Sequence, residues 1–211
     1  MNTETEHIEL HCLVLAAGDS QRLGKPKQLL RIENETLLHR ICRQAQAVSP
    51  YVTAVLGAQA AQVTQAIDDL PIMRINNPDW HEGIASSLRA GVLALPATAD
   101  AVMVLLCDQA TINAGHLQKL VATWQRHPAA IVASAYNDIR GVPVIFPRSE
   151  FASLASLAGD KGAQELLLQD NVINVDLPAA ACDIDTPADI EELRRQLNIT
   201  IELPAADTVS G

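Results

Sequence analysis

Aromatic residues are nearly missing from this sequence: two Trp, two Tyr and two Phe in 211 residues, 3% of the chain. Hydrophobic residues still make up 48%. Ala, Val, Leu and Ile must therefore build the interior, as suits helices packed on a parallel sheet. No apolar run approaches the roughly 18 to 20 residues that a spanning helix needs, so no membrane partner is expected. Residues 1–9 are polar and acidic, unlike a signal or transit peptide, and the expected location is the cytoplasm. Cysteine is sparse: Cys12, Cys42, Cys107 and Cys182 stand far apart with no Cys-x-x-Cys pair. That excludes a zinc module and, in a reducing compartment, a disulfide framework. Positive charge is short as well, with 15 Lys and Arg against 25 Asp and Glu, a formal net charge of -10. Broad nucleic-acid binding wants a basic face and is not expected.

What is present alternates. Residues 11–17 form an apolar run stopped by Gly18, which reads as a buried strand. Helical spacing follows over 36–48, a strand over 51–56, a helix over 58–67, a short strand over 72–75 and a helix over 82–95. The strongest strand, 101–107, runs into Asp108; a helix is expected over 112–126 and a strand over 130–135. Pro143 interrupts a strand at 142–146, which argues for a sheet edge. Helices at 148–157 and 163–169, a strand at 172–175 and a closing helix at 187–197 complete the pattern. Strands alternating with helices imply an α/β fold: one doubly wound, mostly parallel sheet with helices on both faces. The domain is expected to span 10–197, with 198–211 as a flexible tail.

The loop after the first strand carries the most information. Leu15, Ala16, Ala17 and Gly18 are followed by Ser20, Arg22, Lys25 and Lys27. In an open parallel sheet, ligands bind beyond the carboxyl ends of the strands. Small residues there let backbone amides approach phosphate oxygens, and three cations within six residues supply matching charge. Global acidity does not oppose this, because a local site sets its own field. A P-loop is excluded, since five residues separate Gly18 from Gly24 and Pro26 follows Lys25; G-x-G-x-x-G is missing too.

The run L-A-A-G-x-S-x-R-x-G-x-P-K resembles the signature of nucleotidyltransferases of the molybdenum cofactor guanylyl- and cytidylyltransferase type. Asn77-Pro78-Asp79-Trp80 with Gly83, Ser86, Ser87 and Leu88 is most similar to the cytidylyltransferase branch. Cys107-Asp108-Gln109, the 159–163 run Gly-Asp-Lys-Gly-Ala and Asp183-Ile184-Asp185-Thr186-Pro187 point the same way. The resemblance covers about 10–195 and implies a Rossmann-like nucleotidyltransferase fold.

It further implies a magnesium-dependent enzyme that moves a nucleoside monophosphate, CMP from CTP by preference, to a phosphate-bearing acceptor such as molybdopterin, releasing pyrophosphate. Molybdoenzyme maturation proteins are possible partners of such an enzyme. Lys27, Arg22 and Asp108 would be catalytic. Leu15, Ala16, Ala17, Gly18, Ser20, Gly83, Ser86 and Ser87, together with Lys27, would hold the nucleotide. Arg140, Gly141, Asp160 and Lys161 would face the acceptor, and Asp108 with Asp185 would hold Mg2+, Asp183 standing in reserve. The bland reading of those aspartates is helix capping. Chemistry of this kind needs positioning and charge stabilisation rather than a general base, because the acceptor phosphate is already anionic. His81 and His116 lack metal-ligand spacing and read as surface or packing residues. Val142, where the branch often has His, and Ala110, where it often has Pro, depart from the pattern. Two alternatives stay open: a sugar- or polyol-phosphate nucleotidyltransferase, and a non-catalytic nucleotide- or cofactor-binding protein.

Overall fold

The computed structural model describes residues 8–204. Strand β1 (Leu10–Ala16) is buried at all seven positions because it lies between two parallel neighbours, β4 (Tyr51–Leu56) and β6 (Ala101–Leu106). Its side chains alternate between two cores, as the two-residue period of a strand requires. Cys12 and Val14 point to one face with Met103 and Leu105, while Leu13 and Leu15 point to the other with Val102 and Val104. The first face is covered by α1 (Leu37–Gln46), α2 (Ala60–Thr64) and α4 (Ala114–Arg126); the second by α3 (Ile84–Leu93) and α5 (Phe151–Ala155).

The main sheet also contains β5 (Met73–Asn76), β7 (Ile131–Tyr136), β8 (Ile139–Pro147) and β9 (Val172–Asp176), in the order β5-β4-β1-β6-β8-β7-β9. Every pairing is parallel except those of β8. This is the expected doubly wound α/β sheet, mostly parallel and with helices on both faces. After β1 the chain moves outward through β4 and β5, then returns to β6 on the other side. The switch point between β1 and β6 opens a crevice at their carboxyl ends, where such sheets bind ligands.

Strand β8 was expected at an edge and is interior, between β6 and β7. The register passes from Ala133 opposite Val144 to Ser134 opposite Gly141, so Val142 and Pro143 form a bulge. A proline at a bulge is not asked for a ladder N–H, which removes the objection to an interior place. Ser134 Oγ donates to the Pro143 carbonyl at 2.6 Å, and Gln109 Nε2 to the Val142 carbonyl at 2.9 Å. The helix expected over 163–169 is reduced to turns and a 3-10 segment at Leu166–Leu168.

Three two-residue strands have no counterpart in the sequence reading: β2 (Arg31–Ile32), β3 (Glu35–Thr36) and β10 (Ile201–Glu202), which pair antiparallel in a small sheet. With α6 (Pro187–Leu197) they enclose a third core of Leu23, Leu30, Ile32, Ile190, Leu193 and Ile201. The stretch from 198 was expected to be a flexible tail; its first part is instead this strand, and 205–211 lie outside the described residues.

Candidate active site

The loops after β1 and β6 meet over a cavity of about 420 Å³. One wall is Leu15, Ala16, Ala17, Gly18 and Lys27 with Asp108; the other is Trp80, His81, Gly83, Ile84 and Ser87. Two glycines make the approach possible. A Cβ on Gly57, at the end of β4, would lie 2.6 Å from Trp80 Cβ and 2.7 Å from the Ala17 carbonyl. Gly83 has φ +102°, and a side chain there would run into Asp160.

The loop is shaped by Ser20, which sits in the left-handed region at φ 58°. Its carbonyl accepts from the amides of Leu23 and Gly24, both at 3.0 Å, and its hydroxyl accepts from the Lys27 amide at 3.0 Å. A non-glycine residue held there is strained, a state that persists at functional sites when neighbours fix it. Lys27 is thereby set at the start of a 3-10 turn, Lys27–Leu29. Its Nζ lies 2.5 Å from Asp108 Oδ2 and 2.9 Å from Asp185 Oδ1, while the Arg22 guanidinium reaches Asp185 Oδ2 at 2.7 Å. Asp185 does not cap α6: Thr186 does so, its Oγ1 accepting from the Asp189 amide. Asp185 is left to face the loop.

Burial alone would lower the Lys27 pKa, but the Asp108 charge and the bonds to Asp108 and Asp185 outweigh it and hold the ammonium above the usual lysine range. Asp183 is pushed up to about 6, by burial first and then by the charges of Asp108 and Asp185. Negative charge is therefore crowded at this end of the sheet. Asp108 Oδ1 is buried without a partner, and a cation would satisfy such an oxygen. Among the described residues no group of three or more His, Cys, Asp or Glu side chains could hold a metal alone.

Other expected residues divide. Ser87 lines the cavity; the Ser86 hydroxyl donates to the Gly83 carbonyl at 2.9 Å, and Asn77 Nδ2 donates to both serines at 2.9 and 3.0 Å. Ser86 thus holds the start of α3 in place. Lys25 Nζ reaches the Pro204 carbonyl at 2.8 Å, tying the loop to the strand-β10 segment. Arg140, Gly141, Asp160 and Lys161 come together in a second cavity of about 240 Å³ that shares Leu15, Ile84 and Leu106 with the first. The Arg140 guanidinium, however, donates to Asn174 Oδ1 at 2.9 Å and to the Leu167 carbonyl at 2.7 Å, which turns these donors to the chain itself.

A family model described as the MobA-like NTP transferase domain matches residues 12–173. The chain belongs to this family. It is similar to a nicotine blue oxidoreductase of Paenarthrobacter nicotinovorans, 29% identical over 199 residues, covering 88% of this chain and 95% of that protein. A molybdenum cofactor cytidylyltransferase of Escherichia coli K12 is 24% identical over 183 residues, covering 85% and 93%. Among solved structures, Rv0371c of Mycobacterium tuberculosis H37Rv is 29% identical with a TM-score of 0.76, covering 89% of this chain and 98% of that one. The same protein has been solved as a manganese complex, at 28% identity, a TM-score of 0.70 and coverage of 88% and 97%.

The reading of the sequence as a MobA-like nucleotidyltransferase, and so as an enzyme, is therefore met. Within this MobA-like site, sequence reasoning missed Gln28, Trp80 and His81, which line the first cavity, and Asn77, which clamps the two serines. His81, read from sequence as a surface or packing residue, is exposed on the cavity wall. Only the Asn77-to-Trp80 run hinted at these residues, and it gave them no roles.

Proposed function

We propose that this MobA-like enzyme transfers CMP from CTP to the phosphate of a molybdopterin-type acceptor and releases pyrophosphate. The observation that carries the reading is Lys27 held between Asp108 and Asp185 at the β1–β6 switch point. Arg22, 70% exposed at its side chain, and the amides of the Gly18-to-Ser20 loop hold the β- and γ-phosphates. Lys27 stands where charge develops at the α-phosphate, so its contribution is greatest in the transition state. The acceptor occupies the second cavity, across the shared wall of Leu15, Ile84 and Leu106. Asp108 and Asp185 hold Mg2+, which when bound supplies charge neutralisation and orientation of the phosphates. Among the described residues no helix is long and apolar enough to cross a membrane; we place the enzyme in the cytoplasm, with molybdoenzyme maturation proteins as recipients of its product.

The base preference rests on the cytidylyltransferase relative and on Ser87 in the cavity wall. Pyrophosphate release measured for CTP and GTP against molybdopterin and a panel of sugar and polyol phosphates, with Mg2+ or Mn2+, tests it. CTP with molybdopterin should give the highest kcat/KM. A guanosine preference would move the enzyme to the guanylyl branch, and turnover with sugar phosphates alone would replace the acceptor. A second reading comes from the relative named as an oxidoreductase; hydride transfer without nucleotide turnover would favour it, although the chain has no G-x-G-x-x-G fingerprint.

A further inference from the structure

Gln28 follows the loop lysine on the 3-10 turn and is 1% exposed, yet it forms part of the first cavity's wall. Its Nε2 donates to the Ala16 carbonyl at 2.9 Å and to the Gly18 carbonyl at 2.7 Å. Its Oε1 is buried without a partner. Buried polar groups are almost always paired, and an apolar side chain of the same length would fill this space without an orphan oxygen. The amide is therefore kept for its two donor hydrogens, and both go to the phosphate loop.

What those bonds fix follows from the peptide group. It is planar and trans, so its C=O and N–H point in opposite directions. Holding the carbonyls of Ala16 and Gly18 toward Gln28 turns the N–H groups of Ala17 and Asp19 away from it. The intervening peptide is held separately, because the Ala17 carbonyl accepts from the Ala58 amide at 2.9 Å. Three successive peptide planes are thus set before any ligand arrives. We infer that Gln28 is a positioning residue for the triphosphate: it presets the direction of the loop's amide dipoles, and nucleotide affinity depends on it. The inference rests on reading the loop as the phosphate site.

The experiment uses the full chain with Mg2+ and measures equilibrium binding of CTP, GTP and inorganic tripolyphosphate, together with steady-state constants. Gln28→Met keeps the volume and removes both donors; Gln28→Glu keeps the shape and sets a carboxylate against two carbonyls. Each variant should bind tripolyphosphate and the better nucleotide about 10-fold more weakly, the scale expected when preorganisation is lost. The loss should appear in the nucleotide KM, with the acceptor KM within about twofold of wild type. The two variants are independent tests, each scored on protein with native circular dichroism and elution volume. A folded variant whose nucleotide and tripolyphosphate affinities stay within about twofold of wild type, even with a lowered melting temperature, would leave Gln28 a packing residue and overturn the inference. Wild-type protein that binds neither nucleotide nor tripolyphosphate would overturn the phosphate-site reading itself.

Discussion

Lys27 and Asp108 carry opposite charges on adjacent loops, and losing each has a different consequence. The lysine is held charged between two carboxylates, so in the proposed mechanism its removal takes away a cation where anionic charge would build up. Lys27→Ala should lower kcat/KM for the nucleotide by about 100-fold or more, read by pyrophosphate release on folded protein. Near-normal turnover would take Lys27 out of the mechanism. Asp108→Asn keeps the shape and loses the charge that Mg2+ needs; turnover should vanish while nucleotide binding persists. A magnesium titration curve unchanged from wild type would remove Asp108 as a ligand. At this scale the legible residues were those whose chemistry is local: small residues and cations gathered in one run, the loop proposed here for the phosphates. Gln28, Trp80 and His81 reach the cavity only through tertiary placement, and no spacing in the chain announces that.

Strand β8 shows how an element can satisfy a local rule in an unexpected place. A proline in a strand belongs at an edge or a bulge, and the sequence does not distinguish the two. The bulge is completed by the Ser134 hydroxyl on the Pro143 carbonyl, from a side chain that is fully buried. Ser134→Ala would leave that carbonyl without its donor, and should destabilise the protein by about 1–3 kcal/mol in a urea titration. An unchanged midpoint and slope would show that the bond contributes nothing. The long strands β1 and β6 were readable because burial on both faces demands continuous apolar runs. The small sheet was not, because strands of two residues have no period to detect, and β2 and β10 pair across nearly the whole chain.

At the scale of the molecule, the core on the α1 and α4 face of the sheet also sets thiol reactivity. Cys12, Cys42 and Cys107 are buried and Cys182 is half-exposed. Burial pushes the Cys12 thiol up to about 12 and raises that of Cys42; burial and then the Asp108 charge push Cys107 up to about 12. Since the thiolate is the reactive species, a thiol reagent at pH 8 should modify one cysteine per native chain, Cys182, and four in denaturant. Rapid modification of a second thiol in the native protein would contradict the packing of this core. The loop after β1 also has a history in time. Its residues leave the ribosome well before their partners: Lys27 waits for Asp108, 81 residues on, and for Asp185, 158 residues on, and Lys25 for the carbonyl of Pro204, 179 residues on. At roughly 5–20 residues per second, the clasp of Lys27 between two carboxylates stays incomplete for on the order of ten seconds or more. A nascent chain stopped before Asp185 holds Lys27 by one carboxylate where the finished fold uses two.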